Sequence, residues 1–342
     1  MKPVNVGVVG ATGAVGRTIL SILAEREFPV KEIRLFASAR SAGSTLDTPW
    51  GAVGVEDLST ADPSGIDIAL FSAGGDRSRE FAPRFAAAGA VVIDNSSAFR
   101  MEPDVPLVVA DVNDDAIADR PRGIVANPNC TTMDLMMAAG PLHHAAGLRS
   151  MVATSYQSVS GSGMAGVEEL LRQTDALRPD PDALREGGFV APESKVYVAP
   201  IGFNVVPYAG SEKEQGYTDE EWKLVYESRK ILAAPGIEVE PTCVRVPVVT
   251  GHGIAASMWF ERDMDVAEAR ELLEAASGVQ VWTDQVPTPL DSAGIDDVLV
   301  GRLRDTVGAR GGINLWVVGD NLRKGAALNA VQLAELVTAE TT

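Results

Sequence analysis

The chain has 342 residues, 46% hydrophobic and 22% charged, with a formal net charge of −18. That composition reads as an ordinary globular protein with room for two domains of ~100–200 residues, and the acidic balance argues against nucleic acid and anionic membranes as partners. No apolar run reaches the ~18–20 residues that span a bilayer. The two cysteines, Cys130 and Cys243, make no disulfide framework, which points to a reducing cytoplasm.

The opening stretch Val4–Val9 reads as a buried strand, not a signal peptide. It runs into Gly10-Ala11-Thr12-Gly13-Ala14-Val15-Gly16 and then an amphipathic segment through Ile19, Leu20, Ile22 and Leu23. A strand, a glycine turn and a helix form a dinucleotide-binding start, because glycines let backbone approach a pyrophosphate at the helix N-terminus. The spacing G-x-x-G-x-x-G departs from the common G-x-G-x-x-G. Its position directly after the first strand is what gives it weight.

The next strand, 32–37, ends in Ser38-Ala39-Arg40-Ser41. An acidic residue about here holds the ribose 2′-hydroxyl of NAD. An arginine between hydroxyls suits the extra phosphate of NADP; a solvated loop arginine is the alternative. Residues 66–71 form another strand, and Ser72-Ala73-Gly74-Gly75 is a small-residue turn of the kind found at the carboxyl edge of a sheet beside a cofactor. The pattern repeats at 91–97. Arg100 follows, where converging strand ends bring it within reach of an anion bound beside Cys130; a surface arginine is the other reading.

Residues 124–126 are apolar and lead into Asn127-Pro128-Asn129-Cys130-Thr131-Thr132, after which Leu135, Met136, Ala139 and Leu142 recur at helical spacing. Cys130 is therefore expected at or just before a helix N-terminus, where unpaired N–H groups and the macrodipole favour a thiolate nucleophile. A buried structural cysteine is the bland alternative. His143 and His144 at the far end of that helix complement its dipole and are expected to face solvent.

From 150 to 158 polarity alternates as in a half-buried antiparallel sheet, so a second domain starts near 130. Gln157 ends this strand and can hold a substrate carbonyl oxygen. Ser160-Gly161-Ser162-Gly163 turns before a helix and can touch a nicotinamide. Pro179-Asp180-Pro181 is an exposed connector, and the apolar stretch 197–208 is core or subunit contact. Thr218-Asp219-Glu220-Glu221 has capping-box spacing. Glu220 and Lys223 share one face of the helix it starts, the usual arrangement of a solvated ion pair.

The strand 239–249 carries Cys243, read as core, and Arg245. It ends in Thr250-Gly251-His252-Gly253, where His252 can project into a cleft as an acid/base. Strands at 254–262, 293–304 and 312–319 and a helix at 266–277 follow. A last helix, begun by Asp320-Asn321, is expected to return to the nucleotide-binding domain.

The ordered set resembles the aspartate-semialdehyde dehydrogenase family. The likeness rests on the glycine motif 10–16, Ser38-Ala39-Arg40-Ser41, Asn95-Ser96-Ser97-Ala98-Phe99-Arg100, Asn129-Cys130-Thr131-Thr132 and Gln157 with Ser160-Gly161-Ser162-Gly163. It continues in Glu220-Glu221-Trp222-Lys223 and in Arg245 with Gly251-His252-Gly253. Pattern and resemblance together give an α/β chain: an N-terminal Rossmann-type doubly wound parallel sheet (1–129, with helix 321–342 packed back on it), and a C-terminal α+β catalytic and dimerisation domain (130–320) with a mostly antiparallel sheet.

The resemblance implies NADPH-dependent reductive dephosphorylation of L-aspartyl 4-phosphate to L-aspartate 4-semialdehyde, with release of inorganic phosphate. The setting would be lysine, methionine and threonine biosynthesis, by a cytoplasmic homodimer without a metal. It implies an acyl-thioester on Cys130, acid/base work by His252, and substrate contacts from Gln157, Arg245 and Glu220. Phosphate would fall to Arg100, Asn129 and Lys223. NADP would be lined by Gly10, Thr12, Gly13, Ala14, Val15, Ser38, Arg40, Ser41, Ser72, Ser160, Gly161 and Asn321. Two rivals are N-acetyl-glutamyl-phosphate reductase, which shares the architecture, and a catalytically silent nucleotide-sensing dimer.

Overall fold

The structure is a computed structural model that describes residues 2–308 and 311–340. In chain order the first elements are β1 (Val4–Val9), α1 (Ala14–Glu25), β2 (Val30–Ala37), the hairpin of β3 (Thr45–Thr48) and β4 (Gly51–Asp57), β5 (Ile68–Phe71), α2 (Gly75–Ala87), β6 (Val91–Asp94), β7 (Ile124–Ala126) and α3 (Cys130–Ala146). Their strands form one seven-stranded sheet in the order β3-β4-β2-β1-β5-β6-β7, parallel except for β3 against β4. Every residue of β5 and β7 is buried, as a parallel sheet covered on both faces requires.

The second series is β8 (Leu148–Gln157), α4 (Met164–Leu177), α5 (Pro181–Glu186), α6 (Asp219–Ile231), β9 (Glu238–Arg245), β10 (His252–Phe260), α7 (Val266–Glu274), β11 (Val279–Trp282), α8 (Pro289–Ser292), β12 (Val298–Asp305) and β13 (Gly312–Gly319). These strands form a six-stranded sheet, β11-β12-β13-β10-β8-β9. Its edge pairs β11–β12 and β8–β9 are parallel and the three inner pairs antiparallel. The α/β class with a doubly wound parallel sheet and a mostly antiparallel second sheet is thus the observed one.

The chain divides into two compact units. The first comprises Met1–Met136, Glu227–Pro235 and Leu322–Thr342, the second Met137–Tyr226 and Gly236–Asn321. In the first, the core joins Ile19, Ile22 and Leu23 of α1 to Val6, Val8, Leu35 and Leu70 of the sheet. It also takes in Leu328, Val331, Leu333 and Val337 of the last helix, α9 (Leu328–Glu340). Each such side chain contributes about 1.5–3 kcal/mol by leaving water. Thr341 and Thr342, the end of the expected last helix, lie outside the described residues.

In the second unit, Met151, Ala153 and Ser155 point to the covered side of β8, while Val152 and Tyr156 on the other side stay exposed. The expected capping box is present at the start of α6. The Thr218 backbone N–H donates to Glu221 Oε2 at 2.7 Å, and the Glu221 N–H to Thr218 Oγ1 at 3.3 Å.

The strand expected over 239–249 stops at Arg245, and three further details differ from expectation. Residues 293–297 are not strand; the short α8, closed by a Thr288–Asp291 capping box, precedes β12. The last helix starts with a π-helical turn at Arg323–Ala327. His143 is half-buried rather than solvent-facing, because its Nδ1 accepts the Leu148 backbone N–H at 3.0 Å; His144 is exposed.

Candidate active site

In the first unit, strands β2, β1 and β5 end side by side, and the segments that follow them line one cleft. Its walls are Gly10, Thr12, Gly13, Ala37, Ser38, Arg40, Ser41, Leu58, Ser72, Ala73 and Arg77. The glycines have separate reasons. Gly10 has φ +83°, and a Cβ there would lie 2.2 Å from the Ser72 carbonyl oxygen; a Cβ on Gly16 would lie 2.3 Å from the Gly10 oxygen. Both are imposed by close backbone packing. At Gly13 a Cβ would meet only the Gly10 oxygen, at 3.4 Å. The chain itself therefore does not demand glycine there, and its bareness leaves space for a ligand. No side chain caps the N-terminus of α1, so its first N–H groups are available to an anion. Arg40 and Arg77 add two exposed cations to the cleft, and none of the described residues that line it is acidic.

Farther along the same sheet edge, Cys130 is the first residue of α3 and half-buried. Asn129 is the N-cap: its Oδ1 accepts the backbone N–H groups of Thr131 at 3.0 Å and Thr132 at 3.4 Å. Arg100 is 7% exposed. Its Nε donates to Asn127 O at 2.9 Å, Nη1 to Glu227 Oε1 at 2.9 Å, and Nη2 to Asn95 O at 3.1 Å. Beside it, Asp94 is buried and accepts from the hydroxyls of Ser78 and Ser96, each at 2.7 Å. Burial raises its carboxyl above the ordinary value against those bonds.

The second unit gathers the other group. Gln157 and Arg245 are paired residues at the ends of β8 and β9. His252 starts β10, one position beyond the Gly253–Tyr156 pair, and so lies at the same sheet edge. His252 is 1% exposed. The Ser158 backbone N–H donates to its Nδ1 at 3.0 Å. A peptide N–H can only donate, so the neutral ring carries its proton on Nε2. Burial, followed by the Arg245 charge, lowers the imidazole to about 3, outweighing the opposing pull of Glu220.

Arg245 donates through Nη1 to Ser158 O at 2.7 Å, and its guanidinium lies 5.7 Å from the Tyr197 ring centroid. Gln157 Nε2 faces Glu220 Oε2 at 3.5 Å. Lys223 Nζ donates to Glu220 Oε1 at 2.6 Å and Asp219 Oδ2 at 2.8 Å. Burial works against this ammonium, but the two carboxylates hold it above the ordinary lysine value. Asn321 Oδ1 accepts the Gly251 N–H at 2.9 Å and the hydroxyls of Ser158 at 3.0 Å and Ser160 at 3.2 Å. A Cβ on Gly161 would stand 3.5 Å from Nε2 of His252 and 3.4 Å from Nη1 of Arg245.

Residues 5–120 match the family model described as semialdehyde dehydrogenase, NAD binding domain, and residues 140–324 the one described as semialdehyde dehydrogenase, dimerisation domain. The aspartate-semialdehyde dehydrogenase of Streptomyces akiyoshiensis is 55% identical over 340 residues, which cover 98% of this chain and 99% of the relative. The chain belongs to the aspartate-semialdehyde dehydrogenase family. A second aspartate-semialdehyde dehydrogenase, from Mycolicibacterium smegmatis, is 51% identical across 98% of this chain and 99% of its own length. A crystal structure of aspartate semialdehyde dehydrogenase II from Vibrio cholerae, complexed with ASA, has a TM-score of 0.94 and 45% identity, covering 100% of both chains.

Against this family background, Gly10, Thr12, Gly13, Ser38, Arg40, Ser41 and Ser72 line the cleft. Ala14 and Val15 stand at the start of α1 without lining it. Ser160, Gly161 and Asn321 lie in the cluster around His252. Arg100 and Asn129 are joined through Glu227, while Lys223 is committed to Glu220 and Asp219. Cys243, as expected of a core residue, is fully buried. Three residues were missed by sequence reading: Arg77 in the cleft, Ser158 against the imidazole, and Glu227 against Arg100. For Arg77 the cue was its position two residues after the Gly74-Gly75 turn. Ser158 acts through its backbone and Glu227 through a partner 127 positions away, and neither fact has a local signature.

Proposed function

We propose that the chain reduces L-aspartyl 4-phosphate to L-aspartate 4-semialdehyde with NADPH, releasing inorganic phosphate, in the pathway to lysine, methionine and threonine. The observation that carries this reading is Cys130, half-exposed on the first turn of α3 directly after an asparagine N-cap. The N-terminal end of a helix favours an anionic sulfur there.

The Cys130 thiolate attacks the acyl carbon, forming a C–S bond as the carbonyl π electrons move to oxygen. Gln157 and the Nε2–H of His252 are assigned as donors to that oxyanion. Re-formation of the carbonyl breaks the C–O bond to phosphate, and the phosphate leaves on Arg100, Asn129 and Lys223. Arg245 takes the substrate α-carboxylate through its planar fork, and Glu220 the amine. The Gly10–Gly13 turn, Ser38, Arg40, Ser41 and Ser72 would hold NADPH, which would supply the hydride for reduction of the acyl carbon. His252 manages the proton at the reduced oxygen, and Cys130 departs as thiolate to free the aldehyde.

Three features of the cleft support this cofactor: Gly13 is bare without internal need, the α1 N-terminus is uncapped by side chains, and two arginines line the wall. The nucleotide role is assigned to the first sheet with α9, whose unit also carries Cys130 and Arg100, and dimerisation with the His252 cluster to the second sheet. The exposed Val152 and Tyr156 on its open face and the family's dimerisation domain support a homodimer, and two cysteines outside any disulfide suit a cytoplasmic setting. The test is phosphate-dependent reduction of NADP by aspartate semialdehyde, which Cys130→Ala is expected to abolish. Activity on N-acetyl-glutamate semialdehyde instead, or turnover that survives loss of the thiol, would overturn the reading.

A further inference from the structure

Two residues one turn apart on α6, Glu227 and Lys230, hold the Arg100 segment from two directions. Glu227 is 1% exposed. Its Oε1 accepts Arg100 Nη1–H at 2.9 Å, and its Oε2 accepts the backbone N–H of Asn129 at 2.7 Å. Lys230 Nζ donates to the carbonyl oxygens of Arg100 at 2.7 Å, Glu102 at 2.7 Å and Val105 at 2.8 Å, which engages all three of its hydrogens. Residues at i and i+3 share a helix face, so a single turn supplies both grips.

Packing alone does not explain this arrangement. A carboxylate taken out of water gives up hydration that only charge-assisted partners make good, and an apolar side chain of similar volume fills such a space at lower cost. What the carboxylate adds is register. One of its oxygens fixes a guanidinium; the other fixes the peptide N–H of the residue that caps the nucleophile's helix. Arg100 commits three of its five N–H groups to Asn127, Glu227 and Asn95. The other two keep a fixed direction, which is what a bidentate anion grip needs.

We infer that Glu227 is a positioning residue for the phosphate step, setting the Arg100 fork in register with the turn that presents Cys130, and that Lys230 fixes the loop backbone from which that fork projects. This rests on the assignment of phosphate to Arg100 made above.

The test is steady-state kinetics of the full chain in the phosphate-dependent direction with Arg100→Lys, Glu227→Gln and Lys230→Met. Glu227→Gln is expected to raise the KM for inorganic phosphate about 10–100-fold, the scale of one charge-assisted hydrogen bond. The KM values for NADP and the semialdehyde are expected to stay within about twofold. Lys230→Met is expected to act in the same direction by about 3–10-fold, and it carries the test if Glu227→Gln does not fold. If Arg100→Lys leaves the phosphate KM unchanged, the phosphate assignment itself fails and the inference with it. If Arg100→Lys raises that KM while the helix variants leave it alone, or raise all three KM values together, the assignment stands and the positioning role is overturned.

Discussion

The Ser158 backbone N–H points at Nδ1 of His252 and donates to it at 3.0 Å. That bond selects the Nε2–H tautomer, and with burial and Arg245 nearby the ring stays neutral down to about 3. In the unfolded chain the imidazole titrates near its ordinary value of about 6.5. Protons therefore favour the unfolded state between these values. The stabilising contribution is complete above about 6.5 and is lost progressively as pH falls toward about 3, by up to ~1.4 kcal/mol per unit. Urea unfolding of wild type and His252→Gln across that range measures it. The variant is expected to show the shallower acid slope, and equal slopes would remove the buried neutral imidazole. His252→Asn is expected to lower kcat by about 10²–10⁴; an effect on KM alone would reject its proton role.

The two thiols differ in reach. Cys130 is half-exposed at a helix N-terminus. Cys243 is fully buried, and burial pushes its thiol up. Iodoacetamide on native protein should give one alkylated site, Cys130, by peptide mass spectrometry, and two after denaturation. Native labelling at Cys243 would contradict the packing of β9.

Gly161 stands over the imidazole, and its φ lies outside the left-handed region. Alanine there costs the backbone nothing and is expected to leave or raise stability by about 0.4–1 kcal/mol. Its methyl would nevertheless sit 3.5 Å from the His252 Nε2, filling the space from which, on the proposed function, a substrate oxygen would take the N–H. A fall of about 10²-fold in kcat/KM at unchanged or higher Tm is expected. Undiminished turnover would show that the approach to Nε2 lies elsewhere.

Arg40 and Arg77 are exposed in the nucleotide cleft. Arg40→Ala is expected to raise the KM for NADPH about tenfold, the worth of one charge-assisted contact, and to leave NADH unaffected. Arg77→Ala should act in the same sense. A matching loss with both cofactors would mean that neither arginine reads the 2′-phosphate.

Gly10 and Gly16 test the turn itself. With φ +83° and a Cβ only 2.2 Å from the Ser72 oxygen, Gly10→Ala is expected to cost at least about 1–3 kcal/mol in backbone strain alone. A thermal melt checks this; an unchanged Tm would imply that the β1–α1 turn can relax.

The legible parts of this protein were those written in local chemistry. The glycine turn 10–16, the capping box at Thr218 and the helix opened by Cys130 each depend on residues within a few positions of one another. The chain therefore determined by itself that a nucleotide turn, a helix-borne thiol and a glycine-flanked histidine exist. The hairpin β3–β4 and the edge strand β11 were not legible, since short strands take their identity from the neighbour they pair with. The same holds for the chemistry of the side chains. Which nitrogen of His252 holds the proton depends on a peptide that lies 94 residues away in the chain. Whether Arg100 is surface or site depends on Glu227, and whether Lys223 is solvated depends on how far α6 buries it. Sequence fixes which groups are available. Only the folded arrangement sets their solvation and their partners, because both arise from contacts between segments that covalent order does not bring together.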